Sequence, residues 1–175
     1  AVMETLHDFI KEGKVLSLGA SNWHYDRIVE ANAYAKKHDL TPFCASQVEW
    51  SMAKLADGTA GDKPQVVLTP EEYEAYGKSG LLLMAYTSQA HGLFSKAQAA
   101  GGYEALAAVG KLGKYKDPAN AHRVEAALAL CKRYGISPAA LAVSYITSQT
   151  FPAVPILGCS RKEQMEDSLS AVDFV

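Results

Sequence analysis

The chain is short of cysteine, of charge of one sign and of long apolar runs, and each shortage excludes something. Three cysteines, Cys44, Cys131 and Cys159, are scattered through 175 residues with no CxxC pair. An odd, dispersed set supports neither a disulfide framework nor a zinc site, so reduced thiols and a cytoplasmic setting are expected, with no metal. The formal net charge is -2. That is no footprint for nucleic acid or for an anionic membrane surface. No apolar run reaches the roughly 18 residues that a membrane-spanning helix needs. The G-x-G-x-x-G fingerprint is missing too, which argues against a Rossmann dinucleotide site. The first residues, AVMETLHDFIKEGK, read as an amphipathic helix and not as a signal peptide. A chain that begins at Ala1 without Met reads as a processed product or a remnant.

What is present is a hydrophobic content of 49%, enough at this length for one domain with a sizeable core. Helical and strand patterns alternate along it. Residues 1–12 are helical, with Val2, Leu6, Phe9 and Ile10 on one face. A strand is predicted over 14–21, a helix over 26–38 and a strand over 43–50. After a polar loop, Thr69 with Pro70 and Glu72 gives a strong helix start. The run over 81–88 is almost wholly apolar, as in a strand buried on both faces. Residues 89–119 read as a long glycine-bearing loop, expected to be mobile until a ligand orders it. Helices are predicted over 120–135 and from Ser137-Pro138 to near Gln149, then a strand over 153–160. In the final helix Ser160 reads as the N-cap and Glu163 as its capping-box partner. This α-βα-βα-βα(α)-βα order implies an α/β fold, four parallel βα units preceded by one helix. An open sheet and half of a (β/α)8 barrel both fit, since a full barrel takes about 250 residues.

In parallel α/β proteins ligands meet the C-terminal ends of the strands. Ser21, Asn22, Trp23 and His24 follow the first strand, and Gln47, Glu49, Trp50 and Ser51 end the second. Tyr86, Thr87, Ser88 and Gln89 end the third; Gly158, Ser160, Arg161 and Lys162 end the fourth. These suit a ligand with an amide, a flat ring and a phosphate. Ser21, Asn22 and Gln47 can hold a carboxamide from its donor and acceptor sides. Tyr86 offers a face for stacking, and Ser88, Leu93 and Ser95 lie on a segment that can drape over a pyrophosphate. Cations at a helix start oppose the dipole by about 0.3–1 kcal/mol each, so Arg161 and Lys162 call for a compensating anion. Plainer readings stay open: turn chemistry for Ser21-Asn22, a core role for Tyr86, a solvated helix end for Arg161-Lys162. Trp23 and Trp50 are either pocket walls or core.

Four stretches, LGASNW (18–23), ASQVEWS (45–51), AYTSQAHGLFS (85–95) and VPILGCSRKEQMEDSLSAVD (154–173), resemble the aldo-keto reductases, in the right order and across nearly the whole chain. That family folds as a (β/α)8 TIM barrel and reduces aldehydes and ketones with NADPH. The resemblance implies that Ser21, Asn22 and Gln47 bind the nicotinamide carboxamide and that Tyr86 stacks on the ring. It implies that Ser88, Leu93 and Ser95 contact the pyrophosphate. Gly158, Ser160, Arg161 and Gln164 would bind the adenosine end, with Arg161 near the 2′-phosphate. Ser168 stands where the family often has Asn, which would weaken an adenine contact. Trp23 and Trp50 would border the substrate. Residues 1–175 then correspond to the C-terminal half-barrel, strands five to eight. The family's catalytic Tyr, Lys, Asp and His belong to the other half, so no catalytic residue is expected here and the chain is expected to be inactive alone. Two open sheet edges predict self-association or pairing with a complementary half-barrel, and a carbonyl substrate only once that half is supplied. The alternative is a non-enzymatic half-barrel assembly or binding module.

Overall fold

The computed structural model describes residues 2–58 and 65–173. Helix α1 (Val2–Lys11) buries Met3 and sets Leu6 and Ile10 at the edge of the core. Strand β1 (Leu18–Ser21) leads to helix α2 (Tyr25–Lys37), which buries Ile28 and Ala35, two turns apart on one face. Strand β2 (Phe43–Glu49) follows. Helix α3 (Pro70–Ser79) starts at a full capping box. The Thr69 hydroxyl accepts from the Glu72 N–H, and the Glu72 carboxylate accepts from the Thr69 N–H, both at 3.2 Å. Gly80 ends the helix in the left-handed conformation, φ 71°, that glycine adopts at little cost. Strand β3 (Leu82–Tyr86), helices α4 (Leu93–Ala100), α5 (Tyr103–Ala108), α6 (Ala119–Tyr134) and α7 (Pro138–Thr147), strand β4 (Ala153–Pro155) and helix α8 (Lys162–Leu169) complete the order.

The four strands form one parallel sheet in the order β1-β2-β3-β4. Along β3, Leu83 and Ala85 are buried against the helices, while Leu82, Met84 and Tyr86 lie half-buried on the other face. Register puts Gln47 beside Met84 and Glu49 beside Tyr86, so all four share that second face. The helix-side core is built from Ile28, Phe43, Val48, Tyr76, Leu83, Ile146 and Phe151. Burying such a side chain contributes about 1.5–3 kcal/mol. Deep within it the Tyr76 hydroxyl donates to Ser46 Oγ at 2.7 Å, so both groups are satisfied.

Four sequence expectations need correction. β1 begins at Leu18, not at residue 14, because Leu18 is the first residue with a partner, Phe43, on β2. Leu16 before it is 97% exposed. β4 is only three residues long: Pro155 brings no N–H to the ladder, and the Ile156 N–H then donates to Ala85 O at 2.8 Å. Residues 89–119 are not a loop. They hold α4 and α5 with a core of their own, in which Leu93, Phe94 and Ala97 meet Tyr103, Leu106, Tyr115, Val124 and Ala127. Finally, Arg161 rather than Ser160 is the N-cap of α8. Gln164 reaches back so that its Oε1 accepts from the N–H groups of Ser160 and Arg161, at 2.9 and 3.2 Å, and from the Ser160 hydroxyl at 3.1 Å.

Leu83→Ala, at a site with no exposure, is expected to cost about 2–5 kcal/mol. Leu16→Ala should leave stability almost unchanged. Urea unfolding followed by circular dichroism measures both, and similar losses at the two positions would refute this division between core and surface.

Candidate functional site

The polar residues at the strand ends form two groups. The first spans β1, β2 and β3. Asn22 follows β1 in the left-handed region, φ 57°, which Asn tolerates better than most side chains. Its N–H donates to Gln47 O at 2.9 Å. Its Oδ1 accepts twice, from the Val66 N–H at 3.0 Å and from the Tyr86 hydroxyl at 2.8 Å. The side-chain oxygen is thus committed, and the Nδ2 donors have no partner among the described residues. The Ser21 hydroxyl lies 3.5 Å from Gln47 Oε1, a long contact that leaves that oxygen able to accept more. One donor amide, one acceptor amide and one hydroxyl therefore stand side by side. The Tyr86 phenol is raised above its usual pKa by burial and, secondarily, by the Glu49 charge. It stays protonated and keeps donating to Asn22, which fixes the ring across the strand ends.

The second group lines a cavity of about 830 Å³ between the end of β3, helix α4 and the start of α8. Ser88, Ser95, Gly158, Ser160 and Arg161 border it, with Gln164 and Ser168 behind. The chain turns sharply on leaving β3: Thr87, Ala90 and His91 all have φ of 50–55°. Non-glycine residues in that region cost of order 1–3 kcal/mol each. The turn buries Ser88, whose hydroxyl donates to Ile156 O at 2.9 Å, and aims Gln89 at α8. Gln89 Nε2 donates to Ser168 Oγ at 2.9 Å, and that hydroxyl donates to Gln164 O at 2.7 Å. Arg161 is exposed at the cavity edge and forms no ion pair among the described residues. Lys162 instead pairs with Glu166, one turn along α8, at 3.0 Å.

Two expected residues are placed elsewhere. Leu93 does not line the cavity: its side chain is in the second core and its N–H donates to Ala90 O. Trp50 is core and not a pocket wall. It is 7% exposed, stacked on Phe151 at 6.2 Å and edge-on to Tyr73 and Tyr145. Ser168 does line the cavity, its hydroxyl accepting from Gln89 Nε2 and donating to Gln164 O. Trp23 does border a groove, of about 590 Å³, with Asn22 and His24. The Arg27 guanidinium sits 3.9 Å above its ring, and Phe43 meets it edge-on at 5.5 Å. His24 is held by Glu72, Nδ1 to Oε1 at 3.1 Å. Sequence reasoning gave no binding role to Gln89, His91 or Lys96, which stand on the cavity wall. It gave no role to Glu49, whose buried carboxylate pairs with Lys114. Among the described residues no cluster of His, Cys, Asp or Glu is arranged to hold a metal ion, and no helix is long and apolar enough to cross a membrane.

A parallel βα sheet of four strands with its polar residues gathered at the C-terminal edge is the architecture of half a (β/α)8 barrel. The profile of the aldo/keto reductase family matches residues 1–175, and the chain belongs to that family. It is 26% identical over 175 residues to norsolorinic acid reductase stcV of Emericella nidulans, a match covering 98% of this chain and 40% of that protein. It is 25% identical over 179 residues to the probable aryl-alcohol dehydrogenase AAD4 of Saccharomyces cerevisiae, covering 99% and 50%. A putative voltage-gated potassium channel subunit beta of Schizosaccharomyces pombe is 23% identical, covering 99% and 50%. Among solved structures, the thermostable aldo-keto reductase Tm1743 superposes with a TM-score of 0.64 at 16% identity, covering 99% of this chain and 48% of that one. The fold is thus about half of that barrel, and the chain spans about half the length, or less, of these curated relatives.

Five tyrosines, Tyr76, Tyr86, Tyr103, Tyr115 and Tyr145, have phenols raised above the ordinary value, in each case chiefly by burial. A raised folded pKa contributes stability that is present below the unfolded value near 10 and is lost as pH climbs through the folded value. Stability is therefore expected to fall above about pH 10. In a phenolate absorbance titration these side chains should ionise only after the exposed tyrosines. A single transition at the ordinary value in the folded chain would contradict this.

Proposed function

We propose that this chain carries the NADP(H)-binding half of an aldo/keto reductase. The observation that supports it most is the division of labour along one sheet edge. A carboxamide-sized donor–acceptor set, Ser21, Asn22 and Gln47, is tied to the Tyr86 hydroxyl through Asn22, and a serine-lined cavity bordered by Arg161 lies next along the sheet. The donor chemistry fits the dinucleotide. With Asn22 Oδ1 held by Val66 and Tyr86, the Nδ2 donors are left for the carboxamide oxygen, and Gln47 Oε1 for its amide hydrogens. Ser95 offers its hydroxyl to the phosphates. Gln164, its oxygen spent on capping, holds Ser160 and Arg161 in place. Arg161, the N-cap residue of α8, supplies the charge for a 2′-phosphate, where the helix dipole adds to it. When bound, the nicotinamide supplies the hydride for carbonyl reduction.

None of the acid–base residues expected of the family lies in this chain. Protonation of the carbonyl oxygen falls to the Tyr, Lys, Asp and His of a complementary half. The open outer edges of β1 and β4, with Leu16 and Val154 exposed beside them, are where that half or a second copy would pair. An aryl carbonyl is the substrate class to test first: an aryl-alcohol dehydrogenase is among the relatives, and Trp23 offers a flat wall. A cytoplasmic location is part of this reading.

NADPH titration by calorimetry, with quenching of protein fluorescence, tests it. Saturable binding is expected from this chain, and carbonyl reduction only with the complementary half present. Arg161→Ala removes a charge-assisted contact of about 1.5–3 kcal/mol, so NADPH should bind at least about tenfold more weakly. NADH binding should barely change. No heat and no quenching at saturating NADPH would end the proposal.

A further inference from the structure

Glu49 is a buried charge with no evident task. It is the last residue of β2, 3% exposed, on the same face as Gln47 and in register with Tyr86. Its Oε1 accepts from the Lys114 ammonium; its Oε2 is buried with no hydrogen-bond partner among the described residues. As a stability device this is poor. Burying an ion pair costs desolvation that the mutual attraction repays only when every remaining lone pair is satisfied. A position-fixing role explains the expense better.

Lys114 lies at the far end of the α4–α5 segment. The Ala56 N–H donates to Lys114 O at 2.9 Å, and the loop after β2 is sewn to this end again through Asn120. Asn120, with no exposure, accepts from the Lys54 N–H at 2.9 Å and donates to Lys54 O and Tyr115 O at 2.7 and 3.0 Å. Tyr115, next to Lys114, packs in the same core as Leu93, Phe94 and Ala97. Phe94 and Ser95 form the outer wall of the large cavity. One packed unit therefore runs from Lys114 through Tyr115 to the cavity wall, while the strained turn after Tyr86 roots its near end.

We infer that the ion pair between buried Glu49 and partly buried Lys114 is a clamp: it fixes the α4–α5 segment to the end of β2, so that the cavity wall and the Tyr86 ring are set in place before the dinucleotide arrives. Glu49 and Lys114 are positioning residues that touch no part of the ligand. The cofactor half of this statement rests on the proposed NADP(H) reading; the clamp itself does not. Holding the wall in its bound geometry lowers the ordering cost of binding.

The test uses Glu49→Gln, Lys114→Met and the conservative Lys114→Arg in the intact chain, with two readouts. Without cofactor, amide hydrogen exchange over residues 93–108 should speed up in the first two variants and stay near wild type in Lys114→Arg, with β1 and β2 unchanged. In NADPH titrations the first two should bind about fivefold or more weakly, the double variant no worse than either single one, as coupled residues behave. Unchanged exchange over 93–108, or a uniform rise across the chain, overturns the clamp. Faster local exchange with unaltered NADPH affinity overturns its role in positioning the site. A wild-type chain that binds no NADPH refutes the cofactor reading, while the exchange data still decide the clamp. Should a single variant fail to fold, Glu49→Met/Lys114→Met replaces it, since it leaves no lone buried charge. Full NADPH affinity in that pair also overturns the inference.

Discussion

Everything at the candidate site depends on the parallel pairing of β2 with β3. These are the two inner strands, held on both sides, and their register is continuous from Ala45 opposite Leu82 to Glu49 opposite Tyr86. Because side chains alternate along a strand, that register alone decides which residues share the open face. A slip of β2 by one residue would send Gln47 and Glu49 to the helix side and bring Ser46 and Val48 to the mouth. The apolar residues Val48, Leu83 and Ile146 make such a slip expensive, so the core enforces the geometry of the polar edge.

From that pairing the site is assembled outward by hydrogen bonds that consume one end of each polar side chain and leave the other end free. Asn22 spends its oxygen on Val66 and Tyr86; Gln164 spends its oxygen on the start of α8; Ser88 spends its proton on Ile156. Each commitment fixes an orientation, and preorganised donors bind a ligand with less loss of freedom than mobile ones. The same economy explains the cations at α8. Lys162 is neutralised by Glu166 on its own helix, while Arg161 remains at the cavity edge.

Much of this was legible in the residues. The capping box of α3, the apolar run of β3 and the alternation of helices and strands follow from local rules that tertiary context did not override. The helices α4 and α5 were not legible, because Gly92, Gly101 and Gly102 read as loop punctuation whereas they mark the boundaries of two short helices. The signal was there in Leu93, Phe94 and Ala97, but six to eight residues carry little periodicity, and what stabilises them is α6 packing against them. The cap of α8 moved by one residue because a glutamine side chain reached further back than the serine before it.

The sequence by itself determined the element order, the parallel α/β class and the set of polar residues that end the strands, because those depend on side-chain period and on turn chemistry between near neighbours. Only the tertiary structure decided where each residue of that set went. Trp50 follows its strand just as Trp23 does, yet the packing of α3 and α7 enclosed one in an aromatic core and left the other on a groove. Glu49 ended its strand beside Gln47 with no role of its own, and only the fold shows it buried and paired with Lys114, from a segment far along the chain. Burial and partnership across long sequence separations are properties of the folded packing, and no local rule contains them.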